Sequence, residues 1–278
     1  MLSYRHSFHA GNFADLLKHI VLVEILDHLL KKDTAFDYID THAGAGLYDL
    51  RSAQSQKTLE HSGGIARLNF ADWPELDRYA EVVGSFNKTD AVNFYPGSPS
   101  IVGCFLRPQD RAWLFELHPQ DYQLLQKNFA GRKNIRVYHT DGFDGLKALI
   151  PPRSRRGLVL IDPSYEIKSD YDLVIDQVAK AYKKFSQGIY AIWYPVVDRN
   201  TIQRMQKKLI NSGIRNIQCF ELGVMPDSRE HGMTASGMLV INPPWTLMSK
   251  ISALLPKLAT LVSQCGSQIY QCATLVEE

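Results

Sequence analysis

The sequence predicts an α/β fold: a Rossmann-like, mostly parallel sheet of seven strands, with a small, mainly helical inserted subdomain. Two observations carry this. Runs rich in β-branched and aromatic residues at 36–40, 112–117, 135–140, 157–161 and 188–194 are followed by helical patterns at 119–130, 142–149, 170–186 and 198–212. Such alternation implies parallel strands with helices on both faces. The last two runs, 216–222 and 237–242, are joined by the loop GVMPDSREHGMTAS with no helical pattern between them. They read as an antiparallel hairpin at the sheet edge.

The elements follow in order. A helix over about 12–32 precedes the first strand. Asn12 is suited to cap it, because its side chain can accept from the first N–H groups. Leu22, Ile25, Leu26 and Leu29 share one face at helical spacing and form a stripe for the sheet. Residues 36–46, FDYIDTHAGAG, then give a strand, an acid at its end (Asp40) and the turn Gly44-Ala45-Gly46. Glycines there let a nucleotide cofactor approach the backbone. A dinucleotide fingerprint would have its third glycine at Asp49, so a nicotinamide or flavin is disfavoured. Residues 48–98 break the alternation. They are polar, contain LNFADWPELDRYAEVVGSF and end in YPGSP. They are read as the inserted subdomain, with 1–47 and 99–278 forming the core.

Composition bounds the function. A chain of 278 residues, 45% hydrophobic, can bury one large core. A net charge of +2 does not announce a nucleic-acid partner. The clusters Arg153-Ser154-Arg155-Arg156 and Lys207-Lys208 read as solvated faces. Cys104, Cys219, Cys265 and Cys272 form no CxxC pair, as expected of reduced thiols in a cytoplasmic protein. No stretch reaches the roughly 18 apolar residues of a membrane span, so no membrane partner is expected. His6 and His9 have the HxxH spacing of a metal site but lack a third ligand, and no metal is expected.

The chemistry lies in Asp162-Pro163-Ser164-Tyr165, directly after the run GLVLI. It resembles the D/N/S-P-P-Y/F/W signature of enzymes that methylate exocyclic amino groups. The lone pair of such a nitrogen is conjugated into its ring. Two acceptors, the Asp162 carboxylate and the Pro163 carbonyl, would favour the tetrahedral nitrogen of the transition state. An amide at position 162 could still accept, so Asp162→Asn is expected to keep part of the turnover. Tyr165 would stack on the target base. A second match, Asn242-Pro243-Pro244-Trp245, follows the last predicted strand. Strand counting favours the first, which follows the fourth strand beside the first. The second then reads as a structural turn whose Pro opens the final helix. Seven strands with a terminal hairpin, an acid–GxG loop after the first and this tetrapeptide after the fourth are the pattern of class I methyltransferases, whose cofactor is S-adenosyl-L-methionine (SAM).

As a whole the chain resembles the RlmJ family, which methylates N6 of an adenine in 23S ribosomal RNA. The resemblance rests on MLSYRHSFHAGNFADLLKH, DTHAGAG, YPGSP, DPSYE, AIWYPV and HGMTASGMLVINPPW, spread over nearly the full length. Ser164 departs from it, since the family has a second Pro there. The resemblance implies Asp162 as catalytic acceptor. It implies a SAM site bordered by Asp40, His42, Gly44 and Gly46, with Glu116 on the ribose hydroxyls and Asp141-Gly142 beside the cofactor adenine. Lys18, His19 and Ser98 would complete that pocket. Tyr4, His6 and Lys18, with Tyr165, would meet the substrate nucleotide. S-adenosyl-L-homocysteine would be the product. The partner would be 23S rRNA, naked or in an early assembly intermediate, and the protein a monomer. Two rivals remain open at this stage. A DNA adenine-N6 methyltransferase shares the signature, though no sizeable recognition domain is present. A non-catalytic nucleic-acid-binding protein, linked to use of external DNA, would have no need of an intact acid–GxG, Glu116 and DPSY set.

Overall fold

A computed structural model of the chain describes residues 4–89, 91–228, 230 and 232–278. Met1–Ser3 of the leading string, and Arg229 and His231 of the late loop, lie outside the described residues. The first helix, α1 (Phe13–Leu30), leads into β1 (Asp37–Asp40). A short antiparallel pair, β2 (Leu47–Asp49) and β3 (Phe94–Pro96), brackets a segment that holds α2 (Ala53–Thr58), α3 (Asp77–Ser85) and several single 3-10 turns. After it come α4 (Ser98–Phe105), β4 (Arg111–Phe115), α5 (Pro119–Asn128), β5 (Ile135–Tyr138), α6 (Gly142–Leu149), β6 (Gly157–Ile161), α7 (Asp170–Lys184), β7 (Ile189–Val196) and α8 (Arg199–Ile210). The chain continues through β8 (Ile217–Gly223), β9 (Ala235–Ile241), α9 (Leu247–Val262) and β10 (Ile269–Val276).

The main sheet has the order β10-β8-β9-β7-β6-β1-β4-β5. β1 pairs in parallel with both β4 and β6. The strand order therefore reverses beside β1, and ligands bind beyond the carboxyl ends of strands at such a switch point. β6 is buried along its whole length, as a strand covered on both faces must be. The fold class is the predicted α/β, Rossmann-like one, with one correction. The sheet has eight strands, not seven. β9 is inserted antiparallel between β7 and β8, and β10 covers the outer edge of β8. The sequence hides β10 because the strand is half-exposed and bulged between Thr274 and Val276. A bulge breaks the period-two pattern by which strands are recognised.

Helix α1 also differs from expectation. Asn12 caps it, its side chain accepting from the N–H groups of Ala14 and Asp15 at 3.0 Å each. It is not buried along one stripe, however. Phe13–Val23 are all buried, because α3, α4 and α9 pack around the helix as well as the sheet. Asp15, Lys18 and His19 are therefore held inside the protein.

The second tetrapeptide sits at the far end of the sheet. Ile241 pairs with Tyr190 at the start of β7, whereas Asp162 follows the end of the parallel strand β6. Asn242 adopts φ 52°, and its amide donates to the carbonyls of Ser186 and Gly188 at 2.7 Å each. Those bonds tie two loops together, which accounts for the asparagine structurally.

Candidate active site

The loops after β1, β4, β5 and β6 enclose a cavity of about 450 Å³. Glu116 lies just beyond β4. Its Oε2 accepts the Gly44 N–H at 2.7 Å and its Oε1 accepts the His118 N–H at 2.6 Å. Burial raises its pKa, and these two N–H groups oppose the rise. Each oxygen keeps a lone pair for a hydroxyl donor. Gly44 has φ 62°, and a Cβ there would meet the Tyr48 hydroxyl at 2.3 Å. Asp141 caps α6 by accepting the Phe143 N–H at 2.7 Å. Leu117 and Phe143 add apolar walls to the same cavity. His42 lines it as well, its ring edge-on to Phe143. Burial pulls the His42 pKa down to about 4, so the ring is a neutral hydrogen-bonding group near pH 7.

The other residues expected at the cofactor divide into two groups. Lys18, His19, Ser98 and Gly142 line the cavity. His19 shares a hydrogen bond of 2.8 Å with the Tyr95 hydroxyl, and burial lowers its pKa to about 3. Asp40 and Gly46 stand behind the wall instead. Asp40 is fully buried and accepts from the hydroxyls of Tyr38 at 2.6 Å and Ser98 at 2.7 Å. Burial lifts its pKa to about 6. Gly46, at φ 81°, packs against Leu125 and Phe129. Gly142 is sterically obligatory, because a Cβ there would lie 2.0 Å from the Thr41 carbonyl oxygen. Backbone cannot yield cheaply, so Gly142→Ala is expected to push the β1 and β5 loops apart. SAM affinity should fall at least ten-fold, about 1.4 kcal/mol, by titration calorimetry. An unchanged affinity would mean that this loop does not shape the cofactor site.

A second cavity, about 950 Å³, lies on the other side of Asp162. Tyr165, Tyr171, Trp193, Met225 and Met233 give it an aromatic and thioether lining. Tyr165 is held at φ 52°, its hydroxyl donates to the Trp193 carbonyl at 2.7 Å, and its ring centroid is 4.4 Å from that of Tyr171. Tyr4, His6, Lys18, Asp162 and Ser164 line both cavities and form the partition between them. Pro163 faces the first. A group transferred from one cavity to the other passes beside Asp162.

The electrostatics of the partition centre on Lys18. Its ammonium donates to Asp162 Oδ2 at 2.6 Å and is paired with Asp15 Oδ1 at 2.9 Å. Burial raises the Asp162 pKa, and Lys18 counters it. Burial opposes the charge on Asp15 too, but His6, Lys18 and His19 together hold that carboxyl well below its usual range. Asp15, Leu117, Phe143 and Trp193 are site residues that sequence reasoning missed. A signal existed for Asp15, which stands three residues before Lys18 on one helix face. Among the described residues no group of three or more His, Cys, Asp or Glu is arranged to hold a metal ion.

Comparison with known proteins bears on this geometry. The family described as "Ribosomal RNA large subunit methyltransferase D, RlmJ" matches residues 33–273. The chain belongs to the RlmJ family. It is 52% identical to "Ribosomal RNA large subunit methyltransferase J" of Escherichia coli, with 96% of each chain covered. It is 53% identical to the protein of the same name from Haemophilus influenzae, over 95% of each. A crystal structure of protein LPL1258 from Legionella pneumophila superimposes with a TM-score of 0.89 at 38% identity, covering 96% of this chain and 98% of that one. The family match begins after α1 and ends within β10.

Proposed function

We propose that this protein transfers a methyl group from SAM to N6 of an adenine in 23S ribosomal RNA, with Asp162 as the catalytic acceptor. The observation that carries the residue assignment is the partition: Asp162 borders both cavities, so one carboxylate serves cofactor and substrate sides together. The relatives named as ribosomal RNA large subunit methyltransferases support the reaction and the substrate class. The cofactor cavity fits SAM. Glu116 has one open lone pair on each oxygen for the ribose, and Gly142 lets the start of α6 pack directly on the Thr41 backbone at the cavity wall.

The residues divide the work as follows. Bound SAM supplies an electrophilic methyl group and leaves as S-adenosyl-L-homocysteine. Glu116 holds the ribose, and Leu117 and Phe143 flank the cofactor adenine beside Asp141 and Gly142. The target adenine occupies the second cavity against Tyr165. Its amino group donates to Asp162 Oδ1 and to the Pro163 carbonyl, while Lys18 occupies Oδ2. Holding the nitrogen in line supplies much of the acceleration. The ammonium product is very acidic, so Asp162 need only steer its proton away. Residues 48–98 act as an inserted subdomain that closes one side of both cavities, through Ser98 on the first and Glu60 on the second. The protein works as a cytoplasmic monomer on naked RNA or an early assembly intermediate.

The test is methyl transfer from labelled SAM to 23S rRNA lacking native modification, followed by nucleoside analysis, with DNA of matching sequence in parallel. N6-methyladenosine in the RNA alone supports the proposal. Label in DNA alone would replace it with the DNA reading. Asn242→Ala is the control for the second tetrapeptide. Losing its two amide bonds costs about 1–3 kcal/mol of stability, and turnover per folded molecule should be unchanged. A loss of turnover at full folding would move the chemistry to the far end of the sheet.

A further inference from the structure

One buried side chain contacts two members of the partition without belonging to it. Asp15 is 1% exposed and uses both of its oxygens. Oδ2 accepts the Gly11 N–H at 2.8 Å and the His6 Nε2–H at 2.9 Å. Oδ1 is paired with the Lys18 ammonium at 2.9 Å. Beyond His6, the ring Nδ1 accepts from the Tyr4 hydroxyl at 3.0 Å. Beyond Lys18 lies Asp162 at 2.6 Å. The chain Tyr4–His6–Asp15–Lys18–Asp162 is continuous, and four of its five members line both cavities. Asp15 is the exception, since it borders the second cavity alone.

We propose that Asp15 is a positioning residue for methyl transfer: it anchors the Lys18 ammonium and fixes the His6 ring, and so aims the outer oxygen of Asp162 at the substrate amino group. This rests on Asp162 being the acceptor. A lone buried ammonium would collapse onto whichever carboxylate is nearest. With Asp15 on its other side, Lys18 is shared, and Asp162 keeps both its orientation and its strength as an acceptor. On the opposite branch a carboxylate accepting at Nε2 sets the His6 tautomer that receives the Tyr4 hydroxyl at Nδ1. Helix capping explains the Gly11 contact but not those with His6 and Lys18, and Asn12 already satisfies the first N–H groups of α1.

Asp15→Asn separates this role from folding. Its single amide oxygen can serve the Lys18 ammonium or the Gly11 N–H, not both, so the NH2 group faces a donor on one branch and that branch opens. The single-turnover rate should fall about a hundred-fold, the scale of a misplacement near 1 Å. SAM affinity should stay within about two-fold, since the first cavity does not include Asp15. A second readout is the acid limb of the rate–pH profile. The titratable groups facing Asp162 are Lys18, His6, Asp15 and Asp40, with the phenols of Tyr4, Tyr38 and Tyr165. The charge of Asp15 raises the Asp162 pKa. Removing that charge should therefore move the acid limb to lower pH. Asp15→Ser, also able to accept from Gly11, repeats the experiment with a smaller side chain.

Thermal melting accompanies both variants. A hundred-fold slower step at saturating RNA with intact SAM affinity and a displaced acid limb supports the role. An unchanged rate, a loss matched by lost SAM affinity, or an unmoved acid limb overturns it. So does failure of both variants to melt cooperatively, which would make Asp15 a folding residue. Asp162→Ala run alongside tells the two readings apart. If that variant keeps the wild-type rate, the acceptor assignment itself is wrong, whatever Asp15 does.

Discussion

Asp162→Ala should slow methyl transfer to adenine about 10²- to 10⁴-fold while SAM still binds. The range follows from removing a positioned acceptor from a site that keeps both of its cavities. The structure also changes the expectation for Asp162→Asn. From sequence, an amide oxygen could stand in for the carboxylate and preserve part of the turnover. In the fold, the Lys18 ammonium lies 2.6 Å from Oδ2. An amide has one oxygen, and the cation claims it. The NH2 group is then turned toward the substrate amino group, donor against donor. Asp162→Asn is therefore expected to fall close to Asp162→Ala, while Asp162→Glu tests reach. Single-turnover rates with labelled SAM decide this. An asparagine variant within ten-fold of wild type would show that Lys18 does not compete for that oxygen.

Lys18→Met should be the most destabilising change in the site. Lys18 is 4% exposed and is the ammonium held between Asp15 and Asp162. Removing one partner of a buried ion pair costs about 3–5 kcal/mol, because the remaining charge is left without compensation. Here two carboxylates are left. The pH dependence has a definite sign. Without the cation, the Asp162 carboxyl has its folded-state pKa raised further above the unfolded value, and Asp15 loses one of the charges that hold its own low. A carboxyl with a raised pKa favours the folded state below the unfolded pKa, and that contribution is lost as pH rises through the folded pKa. The melting deficit relative to wild type should therefore be smallest in acid and grow toward alkaline pH. Equal deficits at about pH 5.5 and about pH 8 would mean that Lys18 contributes packing rather than charge. Methyl transfer should be lost as well, since Asp162 would be protonated or turned away.

The parts of the site that sequence made legible are those fixed by local backbone chemistry. Gly44, Asp141-Gly142 and Asp162-Pro163 each sit in a turn just beyond a strand, where a short motif dictates both conformation and place. Glu116, which the resemblance implies at the ribose, likewise lies just beyond a strand, β4. What stayed hidden depends on contacts between distant segments. Asp40 looked like a cofactor ligand but is turned inward by the Tyr38 and Ser98 hydroxyls. Gly46 was expected to border SAM with Gly44 but packs against Leu125 of α5 and Phe129. Asp15 belongs to no short motif and becomes a site residue only because α3, α4 and α9 enclose α1. The fold followed the same division. Buried parallel strands announce themselves as apolar runs, while β10 has neither continuous burial nor clean alternation.

β10 matters beyond strand counting. β8 is buried at six of its seven positions, and β10 runs antiparallel along its outer side. Stripped of that neighbour, β8 would present a row of unpaired N–H and C=O groups beside apolar side chains, a ready template for another molecule's strand. The bulge at Thr274–Val276 interrupts that regularity on β10 itself. At this edge the sheet thus ends in a strand that is a poor docking partner, supplied by a segment more than a hundred residues beyond Asp162.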